Sequence, residues 1–593
     1  MILNRTPFSL LLFAVAIFTG CHSRTSDKLL TNSVSADGNI LLPDTHFVPA
    51  SWSKSNTLVV QLTTEPDNLH PTNGTSGQRA ELFAFLHRFI VTTAHGNGLE
   101  PDLVESFPAI SADGLTYSYR LKPGIVWDDG SPLTAEDVYF TCKVNAAPST
   151  NNPAYKPYWM NLKDVIIDPK DPLRFELVMK RPHQQNISFL TGFPILQRSY
   201  FDPENLLGNF SLVYLTGNYA VPPPRALFEA FNHDSLGRKP KCIRGLGEYR
   251  VKEWIPGSSI RLQRKRNAPQ HPDEIVFRIA KDEQAVSLDL KNQVFDVSTY
   301  LSTTTFLQLA ADEKMRNNYH CVLSPTYNYS YLCFNTRPGN NRTPYYSDNN
   351  IRKAISYLVP VEQIIQLLFQ QYSSASRRML SPVSPFKPDF DSTLLPIPQD
   401  IPKAEQLLAK AGYSDADNDG ILDKNGVPFD TELLYLNSSA DWKDMAGLIA
   451  DALGKAGIRV RPVAVEQKIF LEKARSHDFD LLLGSWGGSA LPEDFAQLWS
   501  TSSWKNYGSN YSGFGDASSD SLINAINTTV DDSVRTLLSH RLQQLIYDEQ
   551  PYVFLYSSLR RNIVHKRWGN ITLFPERPGM DIAAFRLLNK ATN

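Results

Sequence analysis

Beyond its N-terminus the chain lacks any apolar run approaching the roughly 20 residues that cross a bilayer. Cysteine is scarce, with five in 593 residues, which is no disulfide framework. No Cys-x-x-Cys occurs, and the 12 histidines show no His-x-His, His-x-x-x-His or His-Glu-x-x-His spacing. A zinc hydrolase therefore has no ligand set. A Gly-x-Ser-x-Gly elbow is also missing. Paired acids such as Glu493-Asp494 sit on a turn, where adjacent side chains diverge, so they read as solvated loop and not as an acid–base pair. Nor is there an excess of one charge: 59 basic against 61 acidic residues give −2, which argues against nucleic acid as a main partner.

What is present is globular, at 42% hydrophobic and 20% charged. The length exceeds one hydrophobic core and implies two to four domains. The N-terminus reads as an address: Arg5, a short apolar stretch from Phe8 to Ile17, then Phe18-Thr19-Gly20-Cys21. Small residues directly before a cysteine resemble a bacterial lipoprotein signal, which makes 1–20 a leader and Cys21 the lipidated residue. His22–Asn56 is polar and reads as a tether. Cys142, Cys242, Cys321 and Cys333 remain. Cys321 and Cys333 lie on two apolar runs either side of a turn-prone stretch, so a bridge between them and buried free thiols are both open.

Along the body, Thr57–Leu62 reads as a strand and Glu81–Val91 has helical spacing. The block from Pro101 carries the most pattern. Pro101-Asp102-Leu103-Val104-Glu105-Ser106-Phe107 precedes an Asp113-Gly114 turn, and Leu115, Tyr117, Tyr119 and Leu121 alternate as a strand with one buried face. Lys122-Pro123-Gly124 turns, Val126-Trp127 gives a second strand, and Thr134 caps a helix with Asp137 at its third position. Gly245-Leu-Gly247-Glu-Tyr249 is a turn entering a strand that ends at Pro256-Gly257. It is no phosphate loop, since the glycine spacing is wrong and no helix follows. Tyr327, Tyr329 and Tyr331 share one strand face ahead of Asn335, and Lys403–Ala411 is a helix stopped by Gly412.

Two loops suggest chemistry. Asp415, Asp417, Asp419 and Gly420, with Asp423 beyond, match the first half of an EF-hand loop, but Gly426 stands where the bidentate Glu belongs and no second helix follows. The reading is an Asp-rich turn, with Ca²⁺ as the alternative. In Asp478–Asp494 an apolar strand from Phe479 to Leu483 runs into Gly484-Ser485-Trp486-Gly487-Gly488-Ser489. Glycines beside an indole let backbone approach a partner closely while the ring offers a flat apolar face.

The block Pro101–Phe107, with Asp113-Gly-Leu-Thr-Tyr-Ser-Tyr-Arg-Leu-Lys-Pro-Gly124 and Trp127-Asp-Asp-Gly-Ser-Pro-Leu-Thr-Ala-Glu-Asp-Val138, resembles the signature of the bacterial family 5 extracellular solute-binding proteins. These are the oligopeptide-, dipeptide- and nickel-binding proteins of ABC importers. Gly245–Gly257, Leu288–Val297, Tyr331–Thr336 with Ile351–Tyr357, Lys403–Tyr413, Pro551–Tyr556 and Trp568-Gly569 are similar to the family as well, while 205–239 matches poorly and reads as an insertion.

The resemblance implies an α/β fold with two lobes, a hinge and an extra inserted domain. One lobe would comprise 57–74, 196–323 and 556–593, the inserted domain 75–195, and the other lobe 324–555. It implies a non-enzymatic, monomeric receptor without cofactor, in which Trp486, Gly487, Gly488 and Ser489, with Thr63, Thr64 and Glu65, face an interlobe cleft. In peptide-binding members an Asp three residues after the Trp meets the ligand's α-ammonium; here that position is Ser489. Either Glu493 or Asp494 replaces that charge, or the ligand lacks a free α-amino group. The expected function is capture of a peptide or peptide-like solute for an ABC permease, at the periplasmic side of a membrane. A lipid-tethered sensor or chaperone module is the second reading, and a secreted hydrolase the third.

Overall fold

The computed structural model describes residues 35–588 except 36–37, 47, 75, 94–97, 152–158, 160, 189–192, 217–222, 267, 269–270, 340–341, 371–375, 439 and 506–507. The leader and Cys21 lie outside the described residues. No helix among the described residues is long and apolar enough to cross a membrane.

Ten strands form one sheet: β1 (Thr57–Leu62), β2 (Tyr249–Ile255), β3 (Ser259–Arg264), β4 (Glu274–Ile279), β5 (Val297–Ser298), β6 (Tyr319–Phe334), β7 (Asp430–Leu436), β8 (Arg459–Val465), β9 (Leu481–Trp486) and β10 (Tyr552–His565). Their spatial order is β8-β7-β9-β6-β10-β5-β1-β4-β3-β2. Strands β7–β9 belong to one lobe (lobe II) and β1–β5 to the other (lobe I). Only β6 and β10 serve both. They have 16 and 14 residues, so at about 3.3 Å per residue β6 reaches roughly 50 Å. Tyr319–Pro325 pairs with Leu559–His565 and Tyr329–Cys333 with Tyr552–Ser557, with register shifts between Pro325 and Tyr331. Strand β9 joins only the Tyr329–Phe334 half. The bulged stretch 326–328 is thus where the sheet passes from one lobe to the other.

This strand overturns the bridge reading of Cys321 and Cys333. They are not on facing runs but on one continuous strand, and both are buried free thiols, as are Cys142 and the half-buried Cys242 in being unbridged. The turn-prone Ser324-Pro325-Thr326 sequence marks a bulge, where a proline is tolerated, and not a reversal.

Lobe I is closed by a pair of buried ions. Arg567 meets Asp296 through Nε at 2.6 Å and Nη2 at 2.8 Å, with side chains 7% and 4% exposed. The same guanidinium donates to the carbonyls of Ser53, Ser55 and Thr57, while Asp296 accepts the Val59 N–H. The stretch read as tether is therefore folded from Ile40 on: Ile40-Leu41 pair with Leu573 and Thr572, and Trp52 is buried, donating to Asn318 at 2.8 Å. Isolated apolar residues among polar ones hold it there, a pattern too sparse for periodicity to detect.

A separate four-stranded sheet (109–110, 116–120, 174–179, 162–167) backs onto the Ala135–Ala146 helix. Tyr117, Tyr119 and Leu121 are buried as the alternation requires, Gly114 takes φ +69° in its turn, and the Thr134–Asp137 capping box forms. The expected second strand at Val126-Trp127 is a single bridge, Val126 to Pro132. The helix expected at 81–91 runs instead from Gly77 to Leu86, because Val91-Thr92 are drawn into pairing with Glu100-Pro101. The insertion is folded too: Leu207, Leu215, Leu227, Phe228 and Phe231 pack on Phe140 and Val144.

Two expectations follow. Asp296→Ala leaves a buried guanidinium unpaired and should cost about 3–5 kcal/mol, read as a lower denaturation midpoint in urea at unchanged slope. His565 accepts the Arg567 N–H at Nδ1 and meets Gln293 through Nε2, and burial holds its pKa down to about 4. Between pH 6.5 and 4 the unfolded chain takes up this proton and the folded one does not, so stability present above pH 6.5 is lost as pH falls toward 4. His565→Gln should flatten that part of the pH–stability curve relative to wild type, measured by urea titration at stepped pH.

Candidate ligand-binding site

Strand β9 lies inside the sheet, between β7 and β6, so Leu481, Leu482 and Leu483 are covered on both faces and fully buried. Gly484 leaves room for the Tyr331 ring above it. Trp486 ends the strand opposite Tyr329. Its indole lies nearly parallel to Tyr331 (5.9 Å between ring centres, 15°) and against Tyr511 (5.3 Å), and its N–H points to the Tyr552 hydroxyl at 3.4 Å. The residue is only partly buried. Trp486 is thus the outer member of an aromatic stack whose inner members are core. Gly487 is exposed, and the Gly488 N–H donates to Asn328 Oδ1 at 3.1 Å. Any Cβ on Gly488 would collide with the Tyr327 carbonyl, so glycine lets this loop lie directly on the bulge of β6.

From Ser489 onward the loop is met from other bodies. The Ala490 N–H donates to the Glu576 carboxylate of the C-terminal segment. The Glu493 carbonyl accepts from Gln184, which follows the last strand of the four-stranded sheet, at 3.0 Å, and Gln184 also reaches Asn527 Oδ1 at 2.8 Å. Both contacts cross from lobe II to the other side of the molecule. Neither acid offered in place of the expected Asp is free. Glu493 pairs with Lys387 Nζ at 2.6 Å, where the lysine side chain is 3% exposed, and Asp494 caps the Phe495–Trp499 helix through the Ala496 N–H at 3.1 Å. Ser489 uses its hydroxyl to accept the Leu491 N–H.

Behind this loop lies a set of enclosed charges that motif reading missed. Glu81 accepts the Tyr300 hydroxyl, and burial raises its pKa. Glu576 also accepts the Arg577 N–H at 3.0 Å, and burial raises its pKa. Arg560 donates to the Phe574 carbonyl at 2.9 Å, and burial, then the neighbouring Arg577, lowers its pKa to about 10. The signal for it was present: Arg560-Arg561 stand adjacent within a strand, between the apolar runs Tyr552–Tyr556 and Ile563-Val564.

Thr63, Thr64 and Glu65 are not joined to this loop by any hydrogen bond or ion pair among the described residues. Glu65 accepts from the Gly257 N–H at 2.8 Å and from Trp254, and pairs with Arg238 at 3.3 Å. Burial opposes its ionisation, but these donors outweigh burial and hold its pKa below the usual range. It ties the end of β1 to the β2–β3 turn. Asp415, Asp417 and Asp419 bring carboxylate oxygens within 4.8 Å of one another, but each accepts a backbone N–H of its own loop, and Asp423 takes that of Ala416. Two short strands follow, not a helix. A concavity of about 860 Å³ between lobe I and the inserted domain is lined by Phe89, Trp127, Tyr249 and Lys265, and its lysine is already paired with Asp128 at 2.8 Å. The 486–494 loop, where three bodies converge, is the better candidate.

The family model for bacterial extracellular solute-binding proteins, family 5 (middle part) matches residues 98–509. The oligopeptide-binding protein AppA of Bacillus subtilis (strain 168) is 26% identical over 504 residues, covering 84% of this chain and 86% of that protein. Its solved structure, in complex with a nonapeptide, superposes with a TM-score of 0.68 at 23% identity, covering 90% of this chain and 99% of that one. NikA from Brucella suis, in complex with Fe(III)-EDTA, gives 0.72 at 18% identity, covering 90% and 100%. The match spans most of the chain: it belongs to the bacterial extracellular solute-binding proteins of family 5.

Proposed function

We propose that this protein captures a peptide or peptide-like solute between its lobes and delivers it to an ABC permease. The observation that carries the reading is the double contact on the 486–494 loop, by Glu576 from one side and Gln184 from the other. A segment with glycine-exposed backbone that meets both opposing bodies suits an extended ligand inserted between them, its main chain pairing as an added strand. Capture works by hinge closure about the 326–328 bulge. Ligand favours the closed state only to the extent that it touches both sides. The division into 57–74, 196–323 and 556–593, 75–195, and 324–555 is part of the proposal, as is a monomer held by lipid on Cys21 at the periplasmic side of a membrane.

Ligand chemistry departs from free-amine peptides. Ser489 is neutral, Glu493 is matched by Lys387, and Asp494 is a helix cap, so none of the three positions that could supply the expected acid offers an unmatched carboxylate to an ammonium. An uncompensated buried charge costs several kcal/mol. Acetylating the amino terminus of a peptide ligand should therefore change its Kd less than about threefold in calorimetry. Tight binding restricted to free-amine peptides would overturn this part.

Trp486→Ala should weaken binding by about 2 kcal/mol or more, as loss of an aromatic anchor does, and lower stability by about 2 kcal/mol through the lost stack on Tyr331. Unchanged affinity with a lower Tm would make the ring core alone. Mass spectrometry of solute retained by natively purified protein tests the whole reading.

A further inference from the structure

We propose that Arg560, cradled by the Phe574–Gly579 loop, is the anion pole of the interlobe site and takes a carboxylate of the captured solute. This rests on the solute-capture reading above. Arg560 stands on β10 opposite Ser324, directly beside the bulge where the sheet changes lobes. The loop is built around its guanidinium. Phe574 gives its carbonyl to Nη1, and the Phe574 N–H closes the loop on the Gly579 carbonyl at 2.9 Å. Gly579 takes φ +96°, and any Cβ there would run into the guanidinium. Glu576 of the same loop reaches across to the Ala490 N–H, which sets Arg560 beside the glycine loop of lobe II.

The donors decide the ligand. A guanidinium has five N–H groups. Arg567, which is buried, donates five hydrogen bonds. Among the described residues Arg560 donates one and makes no ion pair, although it retains accessible surface. The nearby acids do not take up the rest: Glu81 is bonded to Tyr300, and Glu576 to two backbone N–H groups. The remaining co-planar donors of a guanidinium that keeps accessible surface are open to an incoming acceptor. A carboxylate fits that fork through two parallel bonds. A dianion fits less well, since Glu81 and Glu576 stand close by.

The test uses the full chain and tetrapeptide pools without Asp or Glu, prepared with free termini, N-acetylated, C-amidated, and capped at both ends. A fifth pool, capped at both ends, carries Glu. Native mass spectrometry and calorimetry read capture. Amidation should weaken binding to wild type at least tenfold, and Arg560→Gln should erase that difference. Capture of the capped Glu pool, lost in Arg560→Gln, would also support the pole and locate the carboxylate on a side chain. Arg560→Lys keeps the charge without the fork and should recover only part of the discrimination; its melting temperature guards against misfolding of the Gln variant. Equal capture of amidated and free acid-free pools by wild type, with no gain from Glu, overturns the proposal. Discrimination that persists in both variants overturns it too. No capture of any pool overturns the peptide reading itself, and this pole with it.

Discussion

The antiparallel pairing of β6 with β10 is the constraint on which the rest of the molecule depends. Each strand is long enough to be core in both lobes, so the lobes share a sheet and are not beads on a linker. Backbone hydrogen bonds hold the two strands rigid within each lobe. Their register breaks only at 325–331, and there the chain can bend without losing a ladder on either side. The passage between the lobes is therefore a defect in an otherwise continuous sheet. It also fixes what lies next to it: Gly488 rests on Tyr327 from one side, and Arg560 projects from the partner strand.

Charge around that bend is balanced. Lys387, Arg560 and Arg577 face Glu81, Glu493 and Glu576. The balance is uneven in hydrogen bonding, however. The acids have their acceptors engaged by N–H and O–H groups, whereas the guanidinium donors are largely unused. Coulomb balance with a donor surplus lets a site tolerate both the empty and the filled state, since neither leaves a large net charge enclosed.

Legibility followed the range of the interactions. Local rules recovered the Asp113-Gly114 turn, the alternation through Tyr119 and the Thr134 cap, because each is set within a few residues. The same rules misjudged Ser324-Pro325-Thr326, where a long-range ladder overrides a turn signal, and they missed the docking of Ile40 and Trp52. At the site, the glycines and indole near 486 were visible as a local anomaly. Glu576, Glu81 and Tyr300 were not, since they become neighbours only through folding across hundreds of positions. Ser489 warned in advance that the usual acid was missing. The structure added why its sequence neighbours do not replace it: one is neutralised by Lys387 and the other caps a helix.

The pairing of Ile40-Leu41 with Thr572-Leu573 places both ends of the folded body on one lobe, in contact with each other. The distance between those ends is consequently the same whether the lobes are open or closed. Fluorophores attached at the two ends would be blind to closure, whereas one at an end and one on lobe II would register it. The same geometry divides the machine into a fixed and a moving part. Whatever holds the protein by its N-terminus holds lobe I, and under the proposed closure lobe II, entered and left through β6 and β10, is the half that swings.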